Sequence, residues 1–395
     1  MKFAGIIAEY NPFHNGHAWQ LSELRQRGAQ TIAVCMSTGA VQRGSLPVYP
    51  ESVRVRAALQ AGADLVVALP VPYANASAET FAAAGVHLLQ ALGCDTLAFG
   101  AETPDAALLM QTARRLDSPA FAAALRSRLD AGLPFAAARS AAMETLDPAS
   151  AALLTSPNNT LGVEYCKAIL RSGARMQPLP LPRLGAGHGQ QSAGFGAGRP
   201  MASATMIRNC LSAQGLEAAA PYLPDAAMAL YRDAAAAGLL SDPAKTSTAV
   251  LARLRGCPAR QFAGVRGAGE GLENRLAAAV SAAETLPDLM ERLKTKRYPT
   301  ARLRRFVLDA VLDIPADGLP TLPPYLHLLG ARRSALPLLG KATLPASTSL
   351  ARLKASGAEA AAIVRLHSRA VDFSALCRVK TQPVGLAYTG QVVLL

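Results

Sequence analysis

Residues 5–21, GIIAEYNPFHNGHAWQL, read as a strand, a tight turn and a helix. Gly5, Ile6, Ile7 and Ala8 form a short apolar run of the kind that fills a strand buried on both faces. Asn11 and Pro12 break the run, His14-Asn15-Gly16-His17 follows, and Leu21 and Leu24 then share one face of an amphipathic segment. A strand that feeds a helix through such a turn presents backbone N–H groups at the positive end of the helix dipole, a ready seat for phosphate. Two histidines three apart lie on one side of the first helical turn, where they can donate to phosphate oxygens as charge builds up in a transition state. A His pair that only caps the helix is the plain alternative. No third His or Cys stands nearby at metal spacing, so no metal ligand is assigned.

Working outward, Thr31 to Met36 is a β-branched apolar run that ends in the loop Ser37-Thr38-Gly39, followed by Gln42-Arg43-Gly44. A helix over Glu51 to Ala61 follows, stopped by Gly62. DLVVAL (64–69) and CDTLAFG (94–100) are third and fourth strands, with a helix over Ser77 to Leu92 between them. Strands that alternate with helices predict a doubly wound parallel sheet, and in such sheets ligands bind at the strands' carboxyl ends. There Gly100 leaves room for close backbone approach. Thr103 to Met143 is helical; Asn158 and Asn159 suit a helix N-cap; and Met176 to Leu181 is the next strand. Gly185 to Pro200, which includes His188, reads as a loop. Ala202 to Arg208 opens a helix with a Ser/Thr cluster, a second phosphate-type cradle. Beyond Leu211 no convincing strand pattern is visible: helices are expected over 218–237, 245–254 and 272–293, with a short strand pair over 385–395.

The chain has 395 residues, 51% of them hydrophobic, which is enough for two or three domains and excludes wholesale disorder. Its net charge of +13 favours a polyanionic partner, RNA above all. The densest basic patch holds Lys296, Arg297, Arg304 and Arg305, with Tyr298 inside it, a composition suited to an RNA backbone and a stacked base. A solvated helix face is the alternative. The six cysteines are scattered without a CxxC pair, which suggests neither a zinc ribbon nor a disulfide framework. No signal peptide or membrane span is apparent, so a cytoplasmic protein is expected.

The HxGH turn resembles the nucleotidylyltransferase superfamily, which includes the class I aminoacyl-tRNA synthetases. In chain order GIIAEYNPFHNGH, VQRG, GADLVVALP, FGAE, PNNTLGVEY, SATMIR, GLENRL and KRYPTARLRR resemble the tRNA(Met) cytidine acetate ligase family. The resemblance implies a Rossmann-like nucleotidylyltransferase core with a parallel sheet over residues 1–212, binding ATP, and a mainly α-helical, tRNA-binding domain over 213–395. It implies that acetate is activated by ATP as acetyl-adenylate and passed as acetyl to the wobble cytidine of elongator tRNA(Met); Mg2+ is expected with the ATP, because a metal ion can bridge its phosphates with few protein ligands. It places ATP along Ile7, Ala8, Glu9, Tyr10, Asn11, Pro12, Phe13, His14, Asn15, Gly16, His17, Ala18, Trp19 and Gln20, and at Gly100, Asn158, Asn159 and Arg183. His14, His17 and Arg208 would act on the phosphates. The chain departs from the family pattern at Ser37–Ala40, at Glu51 and Ser52, and at Ala68. Two other readings stay open: an adenylyltransferase for a small coenzyme precursor, and a non-catalytic RNA-binding relative.

Overall fold

The computed structural model describes residues 1–184, 194–196 and 198–395. The alternation expected from sequence is present: β1 (Phe3–Ala8), α1 (Asn15–Gln26), β2 (Thr31–Ser37), α2 (Glu51–Gln60), β3 (Leu65–Leu69), α3 (Ala78–Ala91) and β4 (Thr96–Ala101). Helices α4 (Ala106–Leu116), α5 (Pro119–Asp130), α6 (Phe135–Leu146), α7 (Pro148–Leu153) and α8 (Pro157–Ser172) then lead to β5 (Gln177–Pro182). These strands form a parallel sheet in the order β3-β2-β1-β4-β5. Their side chains alternate between two cores, as the two-residue period of a strand requires. Phe3, Ile7, Cys35 and Val67 enter the core shared with α3 and α8, whereas Ala4, Ile6, Val34 and Val66 enter the one shared with α1 and α2.

Among the described residues, strand β5 is an edge of the sheet. Gln177 and Arg183 donate their N–H groups to Asp95 and Ala101 on the β4 side. The intervening Pro178, Pro180 and Pro182 therefore turn their backbone outward, where proline offers no donor to a further strand.

After β5, the pair β6 (Gly194–Gly196) and β7 (Arg199–Met201) is antiparallel and precedes α9 (Ala204–Gln214). β6 falls inside the stretch expected as loop and β7 runs one residue past its end, while His188 lies outside the described residues. The rest holds α10 (Leu216–Ala219), α11 (Asp225–Ala236), α12 (Pro243–Arg255), α13 (Leu272–Ala282), α14 (Leu286–Leu293) and α15 (Thr300–Leu312). The single helix expected over 272–293 is broken at Ala283, where the backbone turns extended and Thr285 caps α14. Then follow β8 (Leu326–Ala331), β9 (Ala346–Ser347), α16 (Leu350–Lys354), α17 (Ala358–Leu376), α18 (Leu386–Thr389) and β10 (Val393–Leu394).

The expectation of no strand beyond Leu211 fails at β8. This strand pairs antiparallel with β3 and extends the same sheet, and β10 pairs parallel with β8. It escapes a sequence reading because all six residues are buried and leucine-rich, so neither alternation nor β-branching marks it. The strand pair expected over 385–395 is instead α18 followed by the two-residue β10. The sheet thus crosses the boundary drawn at 212/213.

Candidate active site

A cleft of about 950 Å³ opens at the carboxyl ends of β1, β4 and β5. Its floor depends on a residue that the sequence did not single out. Arg54 on α2 is fully buried and donates to the carbonyls of Glu9 (2.7 Å), Ser37 (2.6 Å), Thr38 (2.6 Å) and Tyr49 (3.1 Å). It ties the ends of β1 and β2 together and satisfies carbonyls that the sheet leaves open. Burial lowers its pKa to about 10, against the pull of Glu51 and Glu9, so it stays charged at neutral pH.

The turn after β1 is sharp: Tyr10 sits at φ 48°. His14 is the N-cap of α1. Its Nδ1 accepts from the Gly16 N–H (3.1 Å), and the His17 Nδ1 accepts from the His14 N–H (3.3 Å). Since each Nδ1 accepts from an N–H, each neutral ring carries its proton on Nε2. The rings stack at 3.7 Å. Burial, reinforced by Arg183 and Arg208, lowers the His14 pKa to about 3; burial and His14 hold His17 well below the usual value. The pair therefore presents neutral Nε2–H donors. Phe13 supports the turn from below by packing on Tyr10, and its carbonyl accepts from Tyr231 on α11. Asn15 faces away from the cleft and donates to the carbonyls of Pro200 in β7 and Pro221 in the turn after α10.

Ser203 caps α9 by accepting from Met206 N–H. Arg208 donates to the Asn11 carbonyl (2.8 Å) and the Thr205 hydroxyl (3.0 Å), with burial lowering its pKa. Arg183, half buried at the end of β5, lies over Gly100, where a Cβ would come 3.4 Å from its Cγ. Asn158 lines the cleft and donates to Glu102 (2.5 Å). Burial of Glu102 would raise its pKa, but Asn158 and the Asn159 N–H outweigh that and hold it below the usual value. The N-cap of α8 is Ser156, not either Asn, because Pro157 already occupies the first turn.

Of the residues expected at the nucleotide, Ile7, Ala8, Glu9, Tyr10, Asn11, His14, Gly16, His17, Trp19, Gln20, Gly100, Asn158, Arg183 and Arg208 line the cleft. Pro12, Phe13, Asn15, Ala18 and Asn159 do not; Asn159 is buried and fixes the Thr103 N–H (2.9 Å). The departures at 37–40, 51, 52 and 68 also stay off the cleft wall. Ala68 is a buried strand residue, Thr38 meets His367 of α17 (3.1 Å), and Glu51 is half-buried, with Arg54 and Arg378 facing it.

The basic patch reaches the same cleft. Pro299, Ala301 and Arg305, at and after the start of α15, form part of its wall. Gly44 (φ 74°) packs directly on that helix: a Cβ there would lie 2.4 Å from the Arg305 nitrogen. Lys296 and Arg304 are exposed. Arg297 pairs with Glu270 (2.8 Å), which also accepts from the Tyr298 hydroxyl, and the Arg302 guanidinium lies 4.2 Å over the Tyr298 ring. Among the described residues no group of three or more His, Cys, Asp or Glu could hold a metal ion, and no helix is long and apolar enough to cross a membrane.

A doubly wound sheet with paired Nε2–H imidazoles facing arginines across a cleft defines a nucleotidyltransferase of the HxGH type. A family model described as HIGH Nucleotidyl Transferase matches residues 1–383. The tRNA(Met) cytidine acetate ligase of Listeria monocytogenes is 34% identical over 338 residues, 85% of each chain. That of Bacillus subtilis is 33% identical over 342 residues, 84% of this chain and 82% of its own. The crystal structure of Thermotoga maritima TmcAL bound with alpha-thio ATP superposes with a TM-score of 0.90 over 100% of both chains, at 25% identity. The chain belongs to the tRNA(Met) cytidine acetate ligase family and is a ligase.

Proposed function

We propose that this ligase binds ATP in the cleft, activates acetate as acetyl-adenylate, and transfers the acetyl group to N4 of the wobble cytidine in elongator tRNA(Met). The observation that carries the reading is the pair of Nε2–H donors of His14 and His17, set opposite Arg183 and Arg208 in a cleft that α15 also walls. Adenylation is an in-line attack of a carboxylate oxygen on the α-phosphorus, with pyrophosphate leaving. It needs positioning and charge stabilisation rather than a protein nucleophile. The histidines and arginines supply both, and magnesium travels with the ATP phosphates. The names of the relatives and the ATP analogue in the neighbouring structure support the same reading. In it, residues 1–212 carry the ATP chemistry, and residues 213–395 present the RNA through Lys296, Arg297, Arg304 and Arg305.

Mass spectrometry of tRNA nucleosides after incubation with ATP and acetate tests the proposal. N4-acetylcytidine should form only with both present. His14→Ala or His17→Ala should lower the rate by about a hundredfold or more, the scale of one lost transition-state donor. Wild-type rates in both variants would sink the assignment of the phosphate site.

A further inference from the structure

Among the described residues Glu9 is the one acidic side chain that lines the cleft. It directly follows β1. Its Oε1 accepts from the Gln42 N–H (2.8 Å), and among the described residues Oε2 has no hydrogen-bond partner. The charged and titratable groups that face it are Arg208 of α9, Arg43 of the loop after β2, Arg54 of α2 and Tyr165 of α8. Burial raises its pKa above the usual carboxylate value, against these arginines and the Gln42 N–H.

A carboxylate is the wrong group for a phosphate, which it repels. It is the right group for an amine: a carboxylate accepts from the exocyclic amino group of cytosine, whereas the carbonyl that replaces that group in uracil offers it no proton. Its place fits as well. The loop that fixes Glu9 through Gln42 continues to Gly44, which rests on the backbone of Arg304 and Arg305. Glu9 and the start of α15 thus line one and the same cleft.

Building on the function proposed above, we propose that Glu9 is the catalytic proton acceptor of the transfer step and the group that selects cytidine over uridine. The N4 lone pair forms the bond to the acetyl carbonyl carbon. The bond from that carbon to the adenylate oxygen breaks, and AMP leaves with the electron pair. The N4 proton passes to Glu9 Oε2 and from there to water. Without this acceptor the attack would leave a protonated amide nitrogen.

The test uses the full chain and Glu9→Gln, which keeps the oxygen that Gln42 holds and removes the basicity. Acetate-dependent exchange of pyrophosphate into ATP reads the first step; single-turnover acetylation of a tRNA with wobble cytidine reads the second. Glu9→Gln should lose transfer about a hundredfold more than exchange, the span of general-base catalysis. The wild-type transfer rate should fall toward acid pH as Glu9 takes up its proton, and that limb should vanish in the variant. Equal losses in both steps would make Glu9 an ATP-site residue and overturn the proposal, as would undiminished transfer or an acid limb that persists. A wild-type protein that shows neither exchange nor acetylation would instead refute the function itself, and the proposal with it.

Discussion

At His14 and His17 the backbone chooses the tautomer. The Gly16 and His14 N–H groups occupy both Nδ1 atoms, so a phosphate meets only N–H donors. Neutral donors suit the task because they stabilise added negative charge without first binding the substrate as a fixed ion pair. The arrangement has a measurable cost in acid. An unfolded histidine titrates near 6.5, and His14 in the folded chain near 3. Between those values the unfolded chain binds more protons, so stability falls as pH drops through the window. Urea melts at pH 7, 5 and 4 should show this decline, and His14→Gln should make it shallower. An unchanged slope would mean that His14 is protonated in the fold. Proton NMR should likewise find the His14 ring silent from pH 8 to 5 in the free protein.

Elements meet at single residues, and Gly44 is the clearest case. Its positive φ favours glycine, and the Arg304–Arg305 backbone leaves no room for a Cβ. Gly44→Ala should push the loop and α15 apart, destabilise the fold by about 1–3 kcal/mol, and lower tRNA acetylation more than pyrophosphate exchange. Equal loss of both would place the defect in the ATP site. The sequence marks the local parts of this arrangement. The strand–HxGH–helix unit, the strand ends and the Ser203 cap were readable because turn chemistry and burial period act over a few residues. What was not readable depends on distant partners. Arg54 looks like any helix arginine until four carbonyls converge on it. The buried β8 has no alternation to show. Nothing near Lys296–Arg305 says that this helix walls a cleft built around residue 9.

Across the whole molecule, the two halves of the chain share a sheet, a turn support and a clamp. Removing residues beyond 213 would uncover β3, where β8 now pairs, and would strip Tyr231 from the Phe13 carbonyl. Point changes in the clamp are therefore the cleaner probe. Asp309 of α15 is 3% exposed. Its Oδ1 accepts from Asn75 Nδ2 (2.6 Å) and Arg266 Nη2 (2.9 Å), and its Oδ2 accepts from Arg266 Nε (2.8 Å). Arg266 also donates to the Pro72 carbonyl, and Gln42 to the Ala76 carbonyl, so the loop after β3 joins the clamp to the cleft. Burial raises the Asp309 pKa to about 6 despite Arg266. Its sign is opposite to that of His14: the folded chain binds the extra proton, so this contribution is full below about 3.8 and is lost as pH rises through 6. Asp309→Ala would strand the Arg266 charge and should cost roughly 3–5 kcal/mol, but that loss alone would say nothing of function. Arg266→Met combined with Asp309→Leu removes both charges and should melt within about 1–2 kcal/mol of the wild type. Asp309 lies one helical turn from Arg305, so the clamp fixes the face of α15 that looks into the cleft. The double variant should therefore keep most acetate-dependent exchange and lose about tenfold in tRNA acetylation, the expected penalty for imprecise presentation of the acceptor. Full acetylation by a folded double variant would reduce the clamp to a purely structural device.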